Sequence, residues 1–210
     1  MINAGDYQPG NEADHRAENT ACIHKPDQEI TDPNISLQLL KDGNKRYVAN
    51  QTLRCDINDT DRELLSEGQK PFAVILTCSD SRVSPEIYFD QKLGDIFVIR
   101  NAGGIADMTA LGSIEYAVVY LRVLLVCVVG HSKCGAVSAV VREGEYPDNL
   151  RAILDAIKAN ISENESVNDA INKNISSTVA RVRRNAVISE NHAIVVGAYY
   201  DIRTGIVAWI

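Results

Sequence analysis

The chain has 210 residues, 45% of them hydrophobic and 23% charged, which is the make-up of a soluble globular protein whose core needs no disulfide framework. A formal net charge of −7 argues against nucleic acid or an anionic membrane as partner. No apolar stretch approaches the length that crosses a bilayer, and the polar first thirty residues lack the hydrophobic centre of a signal peptide, so a cytoplasmic location is expected.

Residues 1–32 are rich in Asn, Asp, Glu and Gly without an apolar period and read as a tail or arm. A single α/β domain is expected over 33–210. Ile35, Leu37, Leu39–Leu40 and Tyr47–Val48 fit an amphipathic helix over 33–50. A polar loop over 51–70 follows, with a short helix near 61–66. Phe72–Thr77 is the first buried strand, and Pro85 opens a short helix. Asp95–Arg100 is the second strand, ending at Asn101-Ala102-Gly103-Gly104, where paired glycines suit a tight turn. Helix 108–122, strand 123–130 and helix 134–142 come next. Helices over 150–160 and 167–184 precede strand 193–200, and 206–210 returns as a short edge strand.

Strands separated by helices predict a mostly parallel sheet, about four parallel strands plus the short edge strand, flanked by helices on both faces. Ligands of such sheets bind beyond the carboxyl ends of the strands. Two segments lie there, Cys78-Ser79-Asp80-Ser81-Arg82 after the first strand and His131-Ser132-Lys133-Cys134 after the third. Adjacent parallel strands would bring Cys78, His131 and Cys134 together. Thiolate and imidazole are ligands that zinc prefers, and three protein ligands leave a vertex for water, as in catalytic sites. His15, His24 and His192 offer no suitable fourth ligand by spacing. Arg82 is placed to hold the Asp80 carboxylate in a two-pronged contact, leaving Asp80 to orient a zinc-bound hydroxide. Of the other cysteines in a total of five, Cys127 reads as a buried hydrophobe, while Cys22 and Cys55 receive no role. Arg181, Arg183 and Arg184 read as a solvated or salt-bridged helix face.

The segments CSDSRVSPE, FVIRNAGG, GSIEYAV, GHSKCGAV and YYDIRTGIV together resemble the β-class carbonic anhydrases, over the chain from about residue 35 onward. The resemblance implies one Zn2+ per subunit on Cys78, His131 and Cys134, with Asp80 and Arg82 as the catalytic pair. It implies reversible hydration of CO2 to bicarbonate and a proton. It also implies a substrate pocket of Gln69, Phe97, Ala102, Tyr116 and Gly135, in which Gln69, Phe97 and Tyr116 come from a neighbouring subunit of a homodimer or higher even oligomer. Ala102 stands where a slightly larger apolar residue is common. One subset of the family carries a regulatory bicarbonate pocket with a Trp three residues before the first zinc cysteine. Here that residue is Ile75, and the only Trp is Trp209, although Arg100 matches the subset's arginine. The site is therefore expected to stay open, with Asp80 away from the metal.

Hydrolysis of COS or CS2 on the same scaffold is the nearest competing reading. A rhodanese- or phosphatase-like thiol enzyme fits less well, because its Arg lies six positions after the Cys and Arg82 lies four after Cys78. A structural zinc or redox-binding protein would need a fourth ligand or a redox-active cysteine pair. Two thiolates neutralise much of a dication's charge and weaken its pull on water relative to three imidazoles. Activity is accordingly expected to climb on the alkaline side of neutrality. A rate profile flat between about pH 6.5 and about pH 9 would contradict the thiolate-ligated centre.

Overall fold

The chain is described here from a computed structural model that covers residues 29–53, 57–142, 144–162 and 165–210. Cys22, Cys55 and the tail to residue 28 lie outside these. Five strands form one sheet: β1 (Ala73–Cys78), β2 (Ile96–Asn101), β3 (Leu125–His131), β4 (Ile194–Tyr200) and β5 (Val207–Trp209), in the order β2-β1-β3-β4-β5. The first four run parallel and β5 pairs antiparallel with β4. The expected sheet is the one observed. β1 and β3 occupy its centre, which is why they read as continuous apolar runs: a strand covered on both faces has no solvent side to alternate with.

Among the described residues there are eight helices: α1 (Pro33–Val48), α2 (Asp59–Ser66), α3 (Pro85–Tyr88), α4 (Met108–Tyr120), α5 (Gly135–Arg142), α6 (Asp148–Lys158), α7 (Val167–Arg183) and α8 (Ala186–Glu190). Side-chain alternation along the strands divides the core in two. Val74, Leu76, Cys78, Val126 and Val128 face one side, together with Ile114 of α4, Ile157 of α6 and Ile171 and Ile175 of α7. Ala73, Ile75, Leu125, Cys127 and Val129 face the other, against Leu40 of α1 and Tyr88 of α3. Cys127 is fully buried, as a small hydrophobe should be, and burial pushes its thiol pKa up.

Local chemistry sets the helix ends. The Asp32 side chain accepts from Asn34 N at 2.8 Å to cap α1, and Asp107 accepts from Ala110 N at 2.7 Å to cap α4. α8 is too short for periodicity to reveal; Asn185 caps it by accepting from Ile188 N at 3.2 Å. The basic cluster does more than face solvent. Arg183 donates through Nε and Nη2 to the Val195 carbonyl, at 3.1 and 2.6 Å, and ties the end of α7 to β4.

α1 lies on this chain's own sheet, with Leu40 fully buried. Asn44 locks it there. The amide of Asn44 donates to the Tyr88 and Gly205 carbonyls, at 2.9 and 2.8 Å, and accepts from Val207 N at 2.9 Å. Each backbone group stranded by its removal costs about 1–3 kcal/mol. Asn44→Ala is therefore expected to lower unfolding free energy by about 3 kcal/mol, read from the urea midpoint; a loss within about 0.5 kcal/mol would refute the clamp.

Candidate metal centre

The two loops meet because of register. β1 and β3 pair in parallel from Val74↔Val126 to Thr77↔Val129, so Cys78 and His131 leave the sheet at neighbouring points. Lys133 then takes a left-handed backbone, φ 56°, which turns the chain sharply and sets Cys134 at the start of α5. The ligand atoms of Cys78, His131 and Cys134 all lie within 4.8 Å of one another, and all three residues are buried.

These donors fit a tetrahedral metal ion. Two sulfurs at about 2.3 Å from a shared zinc lie roughly 3.8 Å apart; Cys78 Sγ and Cys134 Sγ are 4.0 Å apart, and both are free thiols. That separation is about twice the length of an S–S bond. The imidazole is set for the same task. His131 Nδ1 donates to the Ser132 carbonyl at 3.0 Å, and a carbonyl can only accept, so the lone pair is on Nε2. Nε2 is fully buried and without a hydrogen-bond partner among the described residues. A buried lone pair aimed at two sulfurs is costly unless something electropositive occupies the space between them.

The sulfurs titrate as a pair. The Cys134 S–H donated to Cys78 is the largest influence pulling the Cys78 thiol down, and the Gly103 N–H, which donates to Sγ at 3.3 Å, acts in the same direction. Cys134 is pushed up because the neighbouring sulfur keeps its proton in place and burial adds to that effect. One negative charge is easily held here; a second requires a cation.

Asp80 stands beside the cluster, its Oδ2 4.0 Å from His131 Nε2. Arg82 grips it from one side through Nε to Oδ1 at 2.9 Å and Nη2 to Oδ2 at 2.6 Å, with the Arg82 backbone N–H on Oδ1 at 3.0 Å. The guanidinium beside Asp80 holds its carboxyl well below the usual carboxylate range. Arg82 Nη2 also donates to the Lys133 carbonyl at 3.3 Å, so one guanidinium joins both loops.

Arg100 fastens the first loop from beneath, donating to the Cys78 carbonyl at 3.2 Å and the Asp80 carbonyl at 2.8 Å. Nothing in the local sequence marks Arg100 for that function. Ile75 is in the core, fully buried. The turn at 101–104 was legible from its glycines, but not its closure: the Asn101 amide exchanges hydrogen bonds with the Ile105 backbone, both at 2.8 Å.

The remaining expected pocket residues divide. Gly135 heads α5 in the open, and a Cβ added there would meet no atom within 4 Å. Ala102 is half-buried in the glycine turn. Phe97 and Tyr116 pack together, centroids 6.2 Å apart, but away from this chain's cluster. Phe97 sits beside Val74, whereas Cys78 pairs with Asn101 four residues further on, a separation of about 13 Å along the strand. Gln69 is exposed in the loop before β1.

The carbonic anhydrase family model matches residues 73–207. The chain belongs to the β-class carbonic anhydrases, a family of enzymes. It is 39% identical over 192 residues to a carbonic anhydrase of Mycolicibacterium smegmatis, covering 83% of this chain and 92% of that one. It is 44% identical over 135 residues to carbonic anhydrase 2 of Mycobacterium tuberculosis, covering 62% of this chain and 65% of that one. The crystal structure of the β-carbonic anhydrase CafA of Aspergillus fumigatus superposes with a TM-score of 0.64 at 26% identity, over 84% of this chain and 90% of that one. The expected resemblance and fold class hold.

Replacing one soft ligand tests the cluster directly. Cys78→Ser is expected to leave the circular dichroism of the fold intact while metal content falls far below one ion per chain by elemental analysis. Stoichiometric metal in that variant would remove Cys78 from the ligand set.

Proposed function

We propose that this chain catalyses the reversible hydration of CO2 to bicarbonate and a proton, using one Zn2+ per subunit held by Cys78, His131 and Cys134. The observation that carries the reading is the buried, unpartnered Nε2 of His131 facing two sulfurs, next to a carboxylate that Arg82 keeps charged. When bound, Zn2+ acidifies a water at its remaining position and so makes a nucleophile available near neutral pH.

The chain's own residues do the rest. Asp80, held at both oxygens by Arg82, accepts a hydrogen bond from the nucleophile's O–H and turns its lone pair toward the carbon of CO2. The same grip would keep the Asp80 carboxylate from joining Cys78, His131 and Cys134 as a further ligand. Arg82 and Arg100 thereby act as positioning groups, one on the carboxylate and one on the loop carbonyls. The Gly135 N–H, at the positive end of α5, stabilises the charge that develops on the substrate oxygen. The space beside Gly135 leaves room for that oxygen.

A homodimer or higher even oligomer completes the pocket, with a second copy supplying Gln69, Phe97 and Tyr116 and this chain supplying Ala102. Support comes from the edge they occupy. Among the described residues β2 pairs only with β1, and on α4, packed against Phe97 of β2, stand Tyr116 at 46% exposure and Tyr120 at 74%. An unpaired edge flanked by exposed aromatics is suited to burial against another chain. Residues 33–210 act as one enzyme domain in this reading, and residues 1–32 as a tail. Among the described residues no helix is long and apolar enough to cross a membrane, and a cytoplasmic location is proposed with the activity.

The test is stopped-flow CO2 hydration on protein whose zinc content has been measured. Wild type is expected to accelerate hydration in proportion to bound zinc. Asp80→Asn is expected to keep its zinc while kcat/KM falls by about 100-fold or more; full activity in that variant would take Asp80 out of the mechanism.

A further inference from the structure

α7 carries an amide where its period calls for an apolar side chain. Asn174 lies on the buried face with Ala170, Ile171, Ile175 and Thr178, and is only 4% exposed. A buried amide is costly unless both of its ends are bonded, and here both are. Asn174 Nδ2 donates to the Gly103 carbonyl at 2.9 Å, and its Oδ1 accepts from Asn160 Nδ2 at 2.9 Å. Asn160 is held in turn by Ser177, whose hydroxyl donates to the Asn160 carbonyl at 3.0 Å.

Gly103 is the residue whose N–H meets Cys78 Sγ at 3.3 Å. Its φ is +83°, and a Cβ there would lie 2.6 Å from Ile157 Cδ1. Glycine has the widest backbone freedom of any residue, so a glycine donor stays aimed only if its neighbouring peptides are fixed. The peptide that follows Gly103 is held at both of its polar atoms: Gly104 N donates to the Asn101 carbonyl at 3.1 Å within the turn, and the Gly103 carbonyl accepts from Asn174 across the core.

We propose that Asn174 is a positioning residue for the metal centre: it fixes the Gly103–Gly104 peptide, and so anchors the C-terminal side of the glycine whose N–H lies on the Cys78 sulfur. Asn160 orients Asn174, and a chain of hydrogen bonds runs from the end of α6 through α7 to the ligand. The inference rests on Cys78, His131 and Cys134 binding a metal, and it adds an outer-shell residue reached through the backbone. Outer-shell partners of metal ligands are typically worth about 10–100-fold in metal affinity or activity.

The experiment uses the full chain loaded with Co2+, and reads Co2+ release into excess EDTA and the sulfur-to-cobalt charge-transfer absorption. Asn174→Leu is expected to speed release by about 10–100-fold and to shift the band. Asn44→Ala, which loosens α1 on the opposite face of the sheet from Cys78 and Cys134, is expected to leave both readouts at wild-type values. Should Asn174→Leu not fold, Asn160→Ala decides: it frees Asn174 on one side and is expected to move both readouts in the same direction by several-fold. Wild-type release and an unshifted band in whichever variant folds would overturn the role of Asn174. Wild type that takes up no Co2+ would overturn the metal reading, and this inference with it. Tight, spectroscopically normal binding in both wild type and variants would overturn only the positioning role.

Discussion

Thr77 pairs with Val129 across β1 and β3, and its hydroxyl donates to that same Val129 carbonyl at 2.9 Å in a fully buried position. On this pairing depends whether there is a site at all. Side chains alternate along a strand, so a slip of one residue would send Cys78 to the face occupied by α1 and leave His131 without its partner. Burial on both faces makes such a slip costly, because every apolar side chain of β1 would change compartments together. The centre of the sheet therefore does for the metal ligands what a rigid scaffold does for any precise site: it fixes where two loops begin, and short loops can do little else but converge.

Electrostatics then decides what the converged groups can be. Two sulfurs 4.0 Å apart in a buried place cannot both be thiolates without a cation, and the opposite displacements of their pKa values express that conflict. The His131 tautomer points a lone pair into the same space, adding to the demand for positive charge. Arg82 does not meet it. Its guanidinium is turned outward to Asp80 and the Lys133 carbonyl, satisfying the carboxylate and leaving the space between the sulfurs for an ion. Asp80 is thus ionised for reasons independent of the metal. Its charge survives to well below neutral pH, because a depressed carboxyl pKa keeps the anion until the pH falls through the lowered value.

Much of this was legible in the chain because it rests on short-range rules. β1 and β3 announce themselves as apolar runs, and the residues that follow them carry ligand chemistry at the strand ends, where parallel sheets put their sites. Asp80 and Arg82 are two residues apart, so their pairing follows from reach alone. What was not legible depends on residues distant in sequence. Arg100 reads as the last residue of a strand, and only the β1–β2 register shows that it lies beside the Cys78 loop. Asn174 is 71 positions from the carbonyl it holds; its one sequence signal is an amide on an otherwise apolar stripe. The left-handed Lys133 gave no warning, since lysine has no particular preference for that region. Phe97 and Tyr116 would have passed as ordinary core aromatics without the family resemblance.

The position of those aromatics bears on why the sheet order is what it is. β2, the second strand in sequence, is the edge of the sheet, and the strand that carries Cys78 is its neighbour. Among the described residues, Cys78 therefore leaves the sheet one strand in from its edge. A site deeper in the sheet would be closed by its own helices; one on the edge strand itself would lose the two-sided burial that fixes the register. Placing the ligands on β1 and β3 keeps the geometry rigid. Gly135 at the head of α5 is open and Tyr116 of α4 is exposed, so the surfaces beside the ligands and beside β2 are both accessible from outside the chain.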